Sequence, residues 1–135
     1  MIIWDKGRRG LDQADCEIAW TDLSGQSRIF AYLWNGLYQQ NREERFHPTQ
    51  KPVALYCWIL SRYAQPGMKI LDTHAGSASS LVACHRAGYD QAWGFEIDPV
   101  YYELAKQRLD AEMAQTNLFT TSEQTQEQLS FAEGG

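Results

Sequence analysis

The chain of 135 residues carries a formal charge of −5 and 44% hydrophobic residues, enough apolar material for one domain with a real core. Global acidity argues against a free-standing binder of nucleic-acid phosphates, but residues 1–51 are neutral, with seven Lys/Arg and seven Asp/Glu, so an enzyme with local basic groups stays open. No run of eighteen apolar residues or basic-then-apolar leader occurs, and Cys16, Cys57 and Cys84 lack CxxC spacing; a cytoplasmic protein with reduced thiols and no zinc site is expected.

In chain order, MIIWDKG is a short apolar run broken by charge and glycine, which predicts a strand entering a loop. The loop KGRRG, residues 6–10, sets basic donors between glycines. That pattern suits phosphate contacts and equally a solvated surface. DCEIAWTDL and SRIFAYLW follow as strands separated by the turn signal SGQ. NGLYQQNREERFHPTQKP is polar, punctuated by proline, and predicts irregular chain. Trp20, Trp34 and Tyr38 offer either base stacking or core packing. From Pro52 the period changes: Val53, Leu55, Tyr56, Ile59, Leu60 and Tyr63 recur at three- and four-residue steps, the mark of an amphipathic helix. QPG ends it. MKILDTH predicts a strand, residues 77–87 a helix opening on small hydroxyl residues, AWGFEID a strand, and residues 99–113 a helix. Beyond Gln115 the composition is rich in Gln, Thr and Glu and predicts disorder.

Strand, helix and strand at this spacing make a βαβ unit with parallel strands, so the fold class is α/β. Ligands of such units sit beyond the carboxyl ends of the strands, where the first turn lets them approach backbone. Asp72 ends the first strand. Ala75, Gly76, Ser77 and Ala78 then give a turn with little side-chain bulk, and Glu96 ends the next strand, where an acid accepts hydrogen bonds from a ribose diol. A dinucleotide site wants GxGxxG, and only Gly76 is glycine in this turn. A ligand without pyrophosphate fits better, S-adenosylmethionine among them, since its cationic groups favour Asp72. On these residues alone a plain βαβ crossover with an acid at each strand end stays open.

HPTQKPVALY, KILDTHAGSASS and GFEIDPVYYELAKQRL together resemble the DNA adenine-N6 methyltransferases, especially the phage-like modification enzymes. There HPTQKP precedes the helix before a cofactor turn written DPFxGSG or DTHxGSG. WDKG, CEIAW and RIFAYLWNG also resemble the segments ahead of HPTQKP, so the resemblance spans residues 2–112. It implies a partial Rossmann-like methyltransferase fold with an incomplete sheet. A truncated domain would occupy residues 1–114, with N-terminal strands and loop over 1–46 and a cofactor-binding βαβ half over 47–114; residues 115–135 would be a flexible polar tail. It implies S-adenosylmethionine as cofactor, with His47, Thr49 and Lys51 by its methionine end. Asp72, Thr73, His74, Gly76 and Ser77 would form the turn around it, Glu96 would take the ribose hydroxyls, and Ile97 would flank the adenine. Ala78 stands where the family usually has glycine and adds a methyl near the cofactor.

The family's catalytic motif, DPPY or a close relative, holds the flipped target adenine for methyl transfer to DNA. Residues 98–101 read DPVY, but they follow Glu96 directly, where family members write a Pro-initiated helix start. No catalytic residue is therefore assigned. The chain reads as the C-terminal part of such an enzyme, inactive alone, with cytosine-N4 methylation still open. The resemblance sets the absent strands between the two halves of the sheet, so unpaired edges are expected to drive self-association or pairing with a complementary methyltransferase fragment. QTNLF, through Gln115, Leu118 and Phe119, resembles peptides that bind the bacterial sliding clamp, and QLSF at residues 128–131 echoes it. The second reading is a non-catalytic interaction protein that pairs with another methyltransferase chain or with the clamp.

Overall fold

The computed structural model describes residues 1–7, 14–35, 38–39 and 43–132, excluding the side chains of residues 35, 38–39 and 116–132. In the N-terminal half, β1 (Ile2–Asp5) is the centre of a three-stranded sheet, antiparallel to β2 (Cys16–Ala19) and parallel to β3 (Arg28–Ala31). The two-residue period of β1 turns Ile2 and Trp4 into the core and leaves Ile3 and Asp5 partly exposed. Trp4 donates its indole N–H to the Tyr32 carbonyl at 3.0 Å, and Trp34 donates to the Gln50 carbonyl at 3.2 Å. Each buried indole therefore keeps a partner for its one polar atom. Trp34 is core, whereas Trp20 stands 87% exposed.

A small antiparallel pair, β4 (Trp34–Asn35) and β5 (Tyr38–Gln39), starts at the last residue of the expected strand SRIFAYLW and runs into the stretch expected to be irregular. Then comes α1 (Val53–Tyr63), which lies between two apolar clusters. Val53 and Leu60 pack with Val82, Ala83 and Cys84, joined by Ile70 and Ala92, while Leu55 packs with Trp4, Tyr32 and Trp34. Pro52 precedes the helix and has no side-chain cap to offer. Glu43, ten residues upstream, supplies the acceptor instead, taking the Val53 N–H at 3.1 Å.

The βαβ unit follows as expected: β6 (Ile70–Asp72), α2 (Ser79–Arg86) and β7 (Ala92–Gly94), with β6 and β7 parallel and Asp72 paired with Gly94. Helix α2 begins two residues later than the sequence predicted, because Gly76 and Ala78 both take left-handed φ angles, 54° and 58°. The last helix, α3 (Pro99–Ala132), opens as anticipated: Asp98 accepts the Val100 and Tyr101 N–H groups at 2.8 and 3.2 Å. This settles the DPVY segment as a capped helix start. Helical backbone continues to Ala132, with no Pro or Gly between Met113 and Ala132 to break it. The clamp-like segments fall on that helix, but their side chains from residue 116 onward lie outside the described residues, as do residues 8–10 of the basic loop and the side chain of Tyr38.

The architecture is therefore mixed α/β, with three small sheets and three helices among the described residues. Ile3 pairs with Ile18 and Ile29, and Leu71 with Trp93, on the faces turned away from α1. Ile18, Ile29, Leu71, Trp93 and Phe95 are all exposed there, Ile29 and Phe95 at 63% each. Among the described residues no helix is long and apolar enough to cross a membrane.

Candidate cofactor site

The turn after β6 is built by hydrogen bonds that reach across to β7. Phe95 donates its N–H to the Asp72 carbonyl at 2.9 Å, and Ala75 donates to the Phe95 carbonyl at 2.8 Å. Left-handed Gly76 then aims its own N–H at Glu96 Oε2, 2.8 Å away, while Glu96 Oε1 accepts from Asp98 N at 3.0 Å. The Asp98 N–H, with those of Gly76 and Ile97 and the nearby His47, holds the Glu96 carboxyl below the usual carboxylate range, against the opposing effect of desolvation. A carboxylate offers about four lone-pair directions, so beside these three N–H groups Glu96 keeps acceptor capacity for a further donor. Glu96 is an ionised, backbone-braced acceptor.

His47 covers the turn from the other side. Its ring lies beside the point where a Gly76 Cβ would stand, in van der Waals range, with Cε1 3.4 Å from that point. It makes an edge contact with Tyr101, 4.3 Å between centroids, and its Nδ1 faces Thr49 N and Oγ1 at 3.3 and 3.2 Å. Asp72 accepts the His74 N–H at 3.0 Å and the Ser80 hydroxyl at 2.5 Å, and Thr73 Oγ1 meets His74 Nδ1 at 2.9 Å. Ser77 is buried against Ser79, hydroxyl to hydroxyl, 3.1 Å apart. Ile97 projects fully outward, 98% exposed beside Glu96.

Below the turn opens a mainly apolar cleft of about 200 Å³, lined by Ala75, Ala78, Leu81, Gly94 and Ala105 with Glu96 and Lys106 among its polar groups. Gly94 is required there, because a side chain would start 2.7 Å from Leu81 and 3.0 Å from Ala75.

Of the residues singled out from sequence, His47, Thr49, Asp72, Thr73, His74, Gly76, Ser77, Glu96 and Ile97 lie on or beside this turn. Lys51 is engaged by β2. It forms an ion pair with Glu17 of β2 at 2.6 Å, and Lys6 binds the same carboxylate at 2.7 Å. Burial pushes Glu17 up, but the two lysines outweigh it and hold its carboxyl below the usual range. Burial, with the charges of Asp72 and Glu17 nearby, raises the Tyr56 phenol to about 12, so it stays protonated at neutral pH.

Sequence reasoning missed Glu17, Tyr56, Ser80, Tyr101, Glu43 and Arg108. Ser80 was legible in principle, one helical turn beyond the turn it serves. Arg108 and Glu43, which pair at 2.8 Å across 65 residues, left no local signal.

With this geometry in place, the family model N6_N4_Mtase, described as DNA methylase, matches residues 6–107. The chain belongs to the DNA methylase family. The type II methyltransferase M.HpaI of Haemophilus parainfluenzae is 37% identical over 94 residues, covering 67% of this chain and 29% of that protein. The ribosomal protein L11 methyltransferase of Thermosipho africanus (strain TCF52B) is 34% identical over 79 residues, 55% of this chain and 29% of the relative. The chain thus spans about three tenths of the length of these methylase-related proteins.

Proposed function

We propose that this DNA methylase family chain is the S-adenosylmethionine-binding part of a DNA amino-methyltransferase acting at adenine N6, on a partial Rossmann-like fold. The observation that carries the reading is Glu96: an ionised carboxylate just past a strand end, braced by the Gly76, Ile97 and Asp98 N–H groups, with acceptor capacity left for a further donor. The chain's groups fit the nucleoside. Glu96 takes the ribose hydroxyls, Ile97 offers an uncovered apolar surface to the base, and the small turn of Gly76 and Ser77 lets the ligand approach backbone. Asp72, beside the turn, suits the cationic methionine end, with His47 and Thr49 closing that side. The bound cofactor supplies an electrophilic methyl group. The chain's own residues orient it, and the DNA base would be held by a segment carrying the catalytic motif.

Calorimetric titration of the full chain with S-adenosylmethionine and its demethylated product tests this. Glu96→Ala should weaken both by about tenfold or more, since a hydrogen-bonded charge partner to the diol is lost. A parent chain that binds neither, or a Glu96→Ala chain that binds as well as the parent, would overturn the reading. Radiolabelled methyl transfer to DNA by the chain alone is expected to stay at background.

The exposed apolar faces favour a second reading, in which the chain works as an interaction protein that pairs with a copy of itself, another methyltransferase chain or the sliding clamp. Cofactor binding separates the two, because a purely adhesive role leaves Glu96 without a ligand.

A further inference from the structure

The residues that shape the turn are fastened from behind by one guanidinium. Arg108 of α3 donates from Nη1 to the Ser77 carbonyl and to Ser79 Oγ, both at 2.9 Å, and from Nη2 to Glu43 Oε2 at 2.8 Å. Ser77 lies between left-handed Gly76 and left-handed Ala78, and the second of these is a conformation that a non-glycine residue holds only with support. Glu43 uses its other oxygen on the Val53 N–H, the first residue of α1. Phe46, one residue before His47, lies 6.0 Å below the guanidinium. One side chain therefore connects α3, the first turn of α2, the start of α1 and the loop that lays His47 on Gly76. Arg108 and Glu43 are both largely covered, each about one-fifth exposed.

We propose that Arg108 and Glu43 form a positioning pair that holds the adenosyl site in its binding shape, acting through the Ser77 carbonyl and the His47 loop; its ligand consequence rests on the cofactor reading above. A planar fork can satisfy three acceptors from two segments at fixed angles. A lysine ammonium keeps the charge but not that geometry. Neither residue touches the ligand.

The structure supplies a matched control. Arg86 at the end of α2 binds Glu112 of α3 at 2.6 and 2.9 Å, so it joins the same two helices away from the turn. Arg108→Met and Arg108→Lys in the full chain should each weaken S-adenosylmethionine binding, the first by about tenfold, and both should move the His47 imidazole proton resonance in the ligand-free protein. Arg86→Met should leave affinity and resonance at the parent values. If Arg86→Met and Arg108→Met act alike on both readouts, Arg108 merely docks α3 and the proposal fails. Should Arg108→Met not fold, Arg108→Lys decides: parent-like affinity with an unmoved His47 signal overturns the pair. A parent chain that binds no adenosyl ligand removes the cofactor reading and the ligand consequence, while an unmoved His47 resonance removes the clamp itself.

Discussion

Ala78 sits in a backbone conformation that alanine adopts reluctantly, with φ at 58°, and is buried at the head of α2. Left-handed geometry costs a non-glycine residue about 1–2 kcal/mol. Against that, Ala78→Gly removes one buried methyl, about 0.8 kcal/mol, and adds unfolded-chain freedom of about 0.4–1 kcal/mol. These nearly cancel. Ala78→Gly should therefore melt close to the parent, while Ala78→Val, branched and strained, should lose more than about 2 kcal/mol; paired thermal melts check both. With stability held level, any change in cofactor affinity in Ala78→Gly reports the methyl alone. The sequence marked this position only as a departure from a glycine. Its φ was invisible, because the neighbouring Gly76 alone explained a tight turn.

At the scale of elements, periodicity made α1 and the βαβ unit legible, since Val53, Leu55 and Leu60 must share a buried side and β6 and β7 bracket a helix of the right length. Ion pairs between distant segments have no such signature. Lys51 belongs to the HPTQKP stretch, yet its charge goes to Glu17 on β2, 34 residues earlier. That pair, with Lys6, ties β2 to the chain entering α1. Glu17→Gln should cost about 1 kcal/mol at neutral pH, the range of partly exposed ion pairs, as read from urea midpoints. The pH dependence follows from the lowered carboxyl. Its stabilisation is complete above the ordinary value of 4.5 and is lost as pH falls through the lower folded value. The parent should lose stability across that acid range more steeply than Glu17→Gln, and equal slopes would assign the effect to other carboxylates. Helix α3 has a different limit: its Gln- and Thr-rich stretch lacks the apolar periodicity that marks α1, though no Pro or Gly interrupts it before Ala132.

For the molecule as a whole, parallel strands are ordinarily covered on both faces, and here the face away from α1 carries Leu71, Trp93 and Phe95 in the open. Ile18 and Ile29 do the same on the other sheet. Sedimentation velocity should show concentration-dependent self-association that Leu71→Lys combined with Ile29→Lys reduces; a parent that stays monomeric at every loading would count against the partner reading.

Both sheets rest on one eleven-residue helix, α1, which holds Val82 and Ile70 on one flank and Trp4 and Tyr32 on another. Among the described residues the outer side of β6 has no strand beside it, and neither does the outer side of β2. A newcomer strand docking at either place would gain main-chain partners while every interior side chain kept its seat. Each such edge would then be a socket braced from behind by α1.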